Sequence, residues 1–177
     1  MLFYWQLEAK EVNKTMNQIK IICLAILFLV PINILKASNK TDVSSILDQL
    51  HLYASQAKST QYFSLFTDEA IFIGTDATEN WTMKEFKAFA IPYFSKGKGW
   101  TYTSNNRHIY FSKSKNTAWF DEMLFNENYG ETRGTGVLIR SESGWKIEQY
   151  HLTFPIPNEL SEQVVKIIKS NQYNKKP

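Results

Sequence analysis

Hydrophobic spacing along the chain changes once, near residue 100, from a helical period to an alternating one. Val43, Ile46, Leu47, Leu50, Tyr53, Ala54 and Ala57 recur at helical intervals and predict an amphipathic helix. A polar lead-in at Asn39 to Asp42 offers Thr41 and Asp42 as caps. His51 lies beside the apolar stripe and reads as a partly solvated histidine. Gln61 to Phe66 predicts a short second helical turn, and Ala70 to Ile73 a buried strand closed by Gly74 to Ala77. Thr82-Met-Lys-Glu85 is a capping box that opens a third helix through Phe86, Phe89 and Ala90, with Pro92 and Gly97 ending it. From Trp100 onward, strands are expected at 100–111, 117–125, 131–140 and 145–154. The short polar connections between them imply an antiparallel meander. Pro155 and Pro157 stop the last strand, and Asn158 is placed to cap a closing helix with Leu160, Val164, Val165, Ile167 and Ile168. Helices followed by a meander define an α+β domain in which helices cover one face of a bent sheet and leave a concave space.

The N-terminus reads differently. Lys14 and Lys20 precede the apolar run from Ile21 to Leu35, and Lys36-Ala37-Ser38 supplies a small-residue exit. Such an order of basic, apolar and small residues predicts a secretory signal peptide over residues 1–37, cleaved after Ala37. The run is shorter than the roughly 20 residues of a membrane span. Met16 lies just before it, so residues 1–15 read as an over-extended start. The expectation is an exported chain, periplasmic or secreted, touching a membrane only through this segment, with one domain over 38–177 and its core at 43–160.

Charge follows that division. The chain has 20 basic and 17 acidic residues, and residues 1–37 hold four Lys and two Glu, leaving 16 against 15. A net charge near +1 removes the electrostatic case for nucleic-acid binding. The single cysteine, Cys23, lies in the apolar run, so residues 38–177 contain no thiol nucleophile, disulfide or Cys-type zinc site. Three scattered histidines and no Gly-rich phosphate loop predict no metal and no cofactor.

The last hairpin gives a handle on chemistry. If Arg140 pairs with Trp145 across a two-residue turn, Leu138 faces Ile147, Gly136 faces Gln149 and Gly134 faces His151. Gln149 and His151 would then share the core face with Trp145 and Ile147, opposite two glycines that leave room for a ligand. Alternatively the glycines mark a bulge. On the neighbouring strand only one of Asp121 and Glu122 can enter the cavity. Arg107 and His108 should lie opposite them, either tuning a proton-shuttling carboxylate or forming a register-setting ion pair. The candidate catalytic residues are Asp121, Glu122 and His151. The candidate ligand-pocket residues are Trp100, Arg107, Trp119, Gly134, Gly136, Gln149 and His151, with Phe120 and Tyr110 in the apolar wall. Thr135, Val137, Tyr150, Leu152 and Phe154 would form an apolar outer face suited to homodimerisation.

The ordered segments Phe72-Ile-Gly-Thr-Asp76, Trp81 with Glu85-Phe86, Pro92-Tyr-Phe94, Gly99-Trp100, Trp119-Phe-Asp-Glu122, Arg133-Gly-Thr-Gly-Val-Leu138, Trp145-Lys-Ile147, Tyr150-His-Leu152 and Pro157-Asn158 carry a resemblance. The chain resembles the nuclear-transport-factor-2-like superfamily, and within it the SnoaL-like group. That resemblance implies a cone-shaped fold. The superfamily includes isomerases, dehydratases, cyclases, epoxide hydrolases and noncatalytic association modules, so the fold alone does not choose an activity. The expectation is a protein that binds a small apolar, oxygenated compound, with acid–base catalysis of isomerase, cyclase or dehydratase type open. The alternative is a noncatalytic dimerisation or protein-association module.

Overall fold

The computed structural model describes residues 33–174 and the side chains of 40–171. The predicted signal segment up to residue 32, Cys23 included, lies outside the described residues. By its contacts the chain divides into residues 1–39 and 40–177, and the second unit carries everything below.

Helix α1 spans Asn33–Ser55 and α2 spans Ser59–Ser64. The lead-in at 39–42 is therefore helical rather than a cap. Strand β1 is Phe66–Ile73 and β2 the short Asn80–Thr82. Helix α3 follows as Met83–Phe94. Strands β3 (Thr103–Phe111), β4 (Thr117–Asn126), β5 (Gly130–Ser141) and β6 (Gly144–Thr153) form the meander. A 3-10 turn at Asn158–Leu160 leads into α4, Ser161–Asn174.

Local chemistry explains most of these boundaries. The Thr82 hydroxyl accepts from the Glu85 amide at 3.4 Å, and Glu85 accepts from the Thr82 amide at 2.9 Å, completing the capping box. Pro92 sits inside α3 instead of ending it, since only the last turn remains beyond it. Gly97, with φ of 68°, then turns the chain away. Strand β1 starts earlier than its apolar content suggests, and β2 was not foreseen because three residues carry no periodic signal.

The six strands form one curved, open sheet in the order β2-β1-β6-β5-β4-β3, and only β1 and β6 run parallel. Val43, Leu47, Leu50 and Ala54 of α1, Tyr62 of α2, and Met83, Phe86, Ala90 and Phe94 of α3 are buried with the sheet residues of the core. Those sheet residues include Ile109, Ala118, Phe120, Leu124, Leu138, Ile147 and Tyr150. Tyr62 sits at the centre of the aromatic packing, its ring 5.2–6.1 Å from those of Phe63, Phe86, Phe94 and Trp100.

The last hairpin departs from expectation at one point. Arg140 pairs with Trp145 and Leu138 with Ile147, as the two-residue turn requires. Glu148 is then an extra residue, so Val137 pairs with Gln149, Gly136 with Tyr150 and Gly134 with Leu152. One inserted residue exchanges the two faces of everything beyond it. Tyr150 and Leu152 therefore enter the core, while Gln149 and His151 turn outward beside Val137 and Thr135. Gly134 and Gly136 themselves are regularly paired, and the bulge lies in β6 at Glu148.

Candidate functional site

On β4, inward residues alternate as Ala118, Phe120, Glu122, Leu124 and Asn126. Glu122 is thereby a charged side chain with 0% exposure. A buried carboxylate needs partners, and the neighbouring elements supply them. Register sets Arg107 of β3 directly opposite Glu122. Arg107 Nε donates to Glu122 Oε2 at 2.8 Å. Its Nη2 lies 2.8 Å from the same oxygen, within ion-pair range but without hydrogen-bond alignment. Nη1 donates to Asp48 at 2.7 Å and to the Ser44 hydroxyl at 2.9 Å, tying the sheet to α1. One turn along α1, His51 Nε2 stands 2.8 Å from Glu122 Oε1.

Electrostatics select a protonation state for this cluster. Burial raises the Glu122 carboxyl, but the hydrogen bond and charge of His51 and those of Arg107 together outweigh it and hold the group below the usual carboxylate range. An ionised carboxylate only accepts, so His51 Nε2 carries the hydrogen between them. His51 Nδ1 has no hydrogen-bond partner among the described residues. Asp48 is largely exposed and contributes mainly by steering the guanidinium.

His51 also lines a chamber of about 20 Å3 with Leu50, Ala54, Tyr62, Phe72, Trp100, Tyr102, Tyr150 and Leu152. A wider space of about 190 Å3 adjoins it and shares Phe72, Trp100, Tyr102 and Leu152. Trp81, Phe86, Phe89 and Tyr129 complete the aromatic wall of this mouth, with Glu79 and Thr75 as its polar groups. Trp81 stacks on Phe89 at 4.8 Å, and Phe72 on Phe86 at 3.8 Å. Burial pushes the Tyr102 hydroxyl up to about 12, with Tyr129 adding to the effect. Tyr150 is raised well above its usual value by burial and then by the charge of Glu122.

The expected site residues divide sharply. Glu122 and Arg107 enter the buried cluster, and Trp100 lines both spaces. Asp121 faces outward, where it lies 3.0 Å from His108 Nδ1. Trp119 and Tyr110 also face outward and stack at 5.9 Å, each 45% exposed. Phe120 does point into the core, but those two are no cavity wall because their parity on β4 and β3 opposes that of Phe120 and Ile109. Gly134 and Gly136 face inward without leaving room. A Cβ on Gly134 would meet Tyr150 Oη at 2.7 Å, and one on Gly136 would meet the Gln149 carbonyl oxygen at 2.3 Å. Gln149 and His151 lie on the opposite face, by the slip at Glu148. His51 joins the cluster without having been expected from its sequence position. Its only sequence signal was a position one turn from the buried Leu47 and beside Leu50, which does not reveal a partner 71 residues away.

The SnoaL-like domain profile matches residues 43–157, and the chain belongs to the SnoaL-like family. Its fold is that of the nuclear-transport-factor-2-like proteins. A nuclear-transport-factor-2-like protein of unknown function from Pseudomonas putida superposes with a TM-score of 0.58 at 9% identity, covering 70% of this chain and 91% of that one. A proposed scytalone dehydratase from Novosphingobium aromaticivorans gives 0.57 at 10% identity over 68% and 87% of the two chains. A proposed dehydratase of the same fold from Streptomyces avermitilis gives 0.55 at 11% over 68% and 99%. At such identities the likeness is one of fold. No curated protein matches the sequence.

Proposed function

We propose that this chain binds a small, mostly apolar, oxygenated compound in the aromatic mouth and acts on it by proton transfer through His51. The observation that carries this reading is the buried His51–Glu122–Arg107 chain, which ends at a cavity. A carboxylate that fixes one imidazole nitrogen and stabilises the imidazolium is the arrangement a general base requires. His51 Nδ1 takes a proton from the carbon beside a carbonyl. It returns that proton either to a neighbouring carbon, giving isomerisation, or to a departing hydroxyl, giving dehydration. Glu122 keeps its charge throughout, because Arg107 balances it. The proposed dehydratases of similar fold are consistent with this class. No described group of His, Cys, Asp and Glu has the makings of a metal site, and the scheme calls for none.

The test does not need the natural substrate. Cyclohexanone in deuterium oxide, followed by proton NMR, should exchange its α-hydrogens faster with the parent protein than with buffer. His51→Gln should abolish the excess rate while leaving the fold intact. Equal exchange by parent and variant would sink the proton-transfer reading.

The second reading, a homodimer or association module, is favoured by the exposed Tyr110–Trp119 stack on the outer sheet face. With the slip at Glu148, that face carries Thr135, Val137, Gln149 and His151, not Tyr150 and Leu152. Export remains a proposal from the N-terminal apolar run, with membrane contact through that segment alone. Cell fractionation with N-terminal sequencing of the recovered protein tests it, a start at Met1 in the cytoplasm being the contrary result.

A further inference from the structure

We infer that the chamber beside His51 is a subsite for one uncharged oxygen, a carbonyl or a hydroxyl, carried by a single-ring ligand, and that it turns carboxylates away. This rests on the mouth being the ligand site, as proposed above. Size comes first. About 20 Å3 is room for one water-sized group, since a single water needs roughly 10–15 Å3 by this measure. The mouth, at about 190 Å3, is far below the ~300–1,000 Å3 of sites for drug-sized ligands. It is close to the roughly 150 Å3 that admits one benzene ring. A ring seated among Phe72, Trp81, Phe89 and Trp100 therefore lies against the chamber wall, with space beyond it for one heavy atom.

Donors come second. Tyr62, Tyr102 and Tyr150 line the chamber together with His51. The Tyr150 hydroxyl lies over Gly134, 2.7 Å from where a Cβ would stand, and on the side of the Glu122 side chain. Three phenols can donate to a carbonyl, and with the His51 Nδ1 as an acceptor they can both donate to and accept from a hydroxyl.

Charge comes third. Among the described residues, no Lys or Arg lines either space. Arg107, which could have greeted an anion, is committed to Glu122, Asp48 and Ser44. Glu122 stands ionised behind Tyr150 and His51, and Glu79 lies at the mouth. The surroundings that raise the tyrosine hydroxyls also oppose a carboxylate brought in by a ligand. A neutral oxygen meets donors and no such penalty.

The experiment compares toluene, benzyl alcohol and benzoate, which share one ring, by ligand-observed NMR titration of the full domain near neutral pH. Benzyl alcohol should bind about three- to tenfold tighter than toluene, the worth of one net hydrogen bond, and benzoate should show no saturable binding. Tyr150→Phe should bring benzyl alcohol down to the toluene level while leaving toluene unchanged. Tyr102→Phe, at a half-buried position, repeats the comparison if the first variant folds poorly. Benzoate binding as tightly as benzyl alcohol overturns the proposal, and so does a parent that cannot tell benzyl alcohol from toluene. The cyclohexanone exchange assay separates the two readings. Exchange without ring-oxygen discrimination removes the subsite alone, whereas discrimination without exchange keeps the subsite and removes the catalytic role.

Discussion

Replacing Arg107 with Met tests the central claim, that Glu122 remains charged in the core because of one guanidinium. Methionine retains part of the aliphatic stem and removes the donors. The fully buried Glu122 would then keep only the 2.8 Å contact with His51. Removing one partner of a buried ion pair costs about 3–5 kcal/mol, because the other charge is left uncompensated. The Asp48 contact adds little, since that carboxylate is largely exposed. For a domain of this size, about 3 kcal/mol corresponds to a fall in melting temperature of roughly 10 °C. Urea unfolding followed by tryptophan fluorescence measures it. The pH dependence adds a sign. In the variant an unbalanced carboxylate is relieved by a proton, so the folded state holds a proton that the unfolded chain releases. Its deficit should therefore grow as pH rises above the ordinary carboxylate value near 4.5 and shrink toward it. Arg107→Met with Glu122→Gln removes both charges and should recover most of the loss. A single-variant cost under about 1 kcal/mol, independent of pH, would show that Glu122 does not rely on Arg107 and would refute the protonation scheme built on it.

Further outcomes follow from the same geometry. Glu122 has a folded-state pKa below its ordinary value near 4.5, so its contribution is present above that value and lost as pH falls through the lower one. Acid unfolding of the parent should carry this slope, and Glu122→Gln should flatten it. Gly136→Ala puts a methyl group 2.3 Å from the Gln149 carbonyl oxygen, which is backbone and cannot swing aside. A loss of about 1–3 kcal/mol in chemical denaturation is expected, with a parent-like result counting against the close approach of β5 and β6. Thr82→Ala removes the hydroxyl that accepts from the Glu85 amide, leaves the amide of residue 82 bonded to the Glu85 carboxylate, and should cost about 1 kcal/mol by the same assay. Trp119→Asp should abolish any self-association seen by light scattering while sparing the interior; an unchanged oligomer would place the contact elsewhere.

Much of the architecture is legible in residue order because it depends on near neighbours. The Thr82–Glu85 cap, the two-residue turn between Arg140 and Trp145, and the pairing of Arg107 and His108 with Glu122 and Asp121 all follow from short-range spacing. The site depends on something else. A strand alternates with period two, so one bulged residue at Glu148 is enough to send His151 and Gln149 outward and bring Tyr150 into the chamber. The residues themselves shift phase there, from Trp145 and Ile147 to Tyr150 and Leu152 across the polar pair Glu148–Gln149, but a pairing extrapolated from the turn carries no such break. His51 and Glu122 are adjacent only because α1 crosses the concave face of β4. Sequence by itself determined most of the elements, their order and the family they belong to, short β2 excepted. Packing of the helix against the curved sheet decided which carboxylate is buried, which histidine meets it and which face is a cavity, since those are properties of side chains brought together from distant parts of the chain.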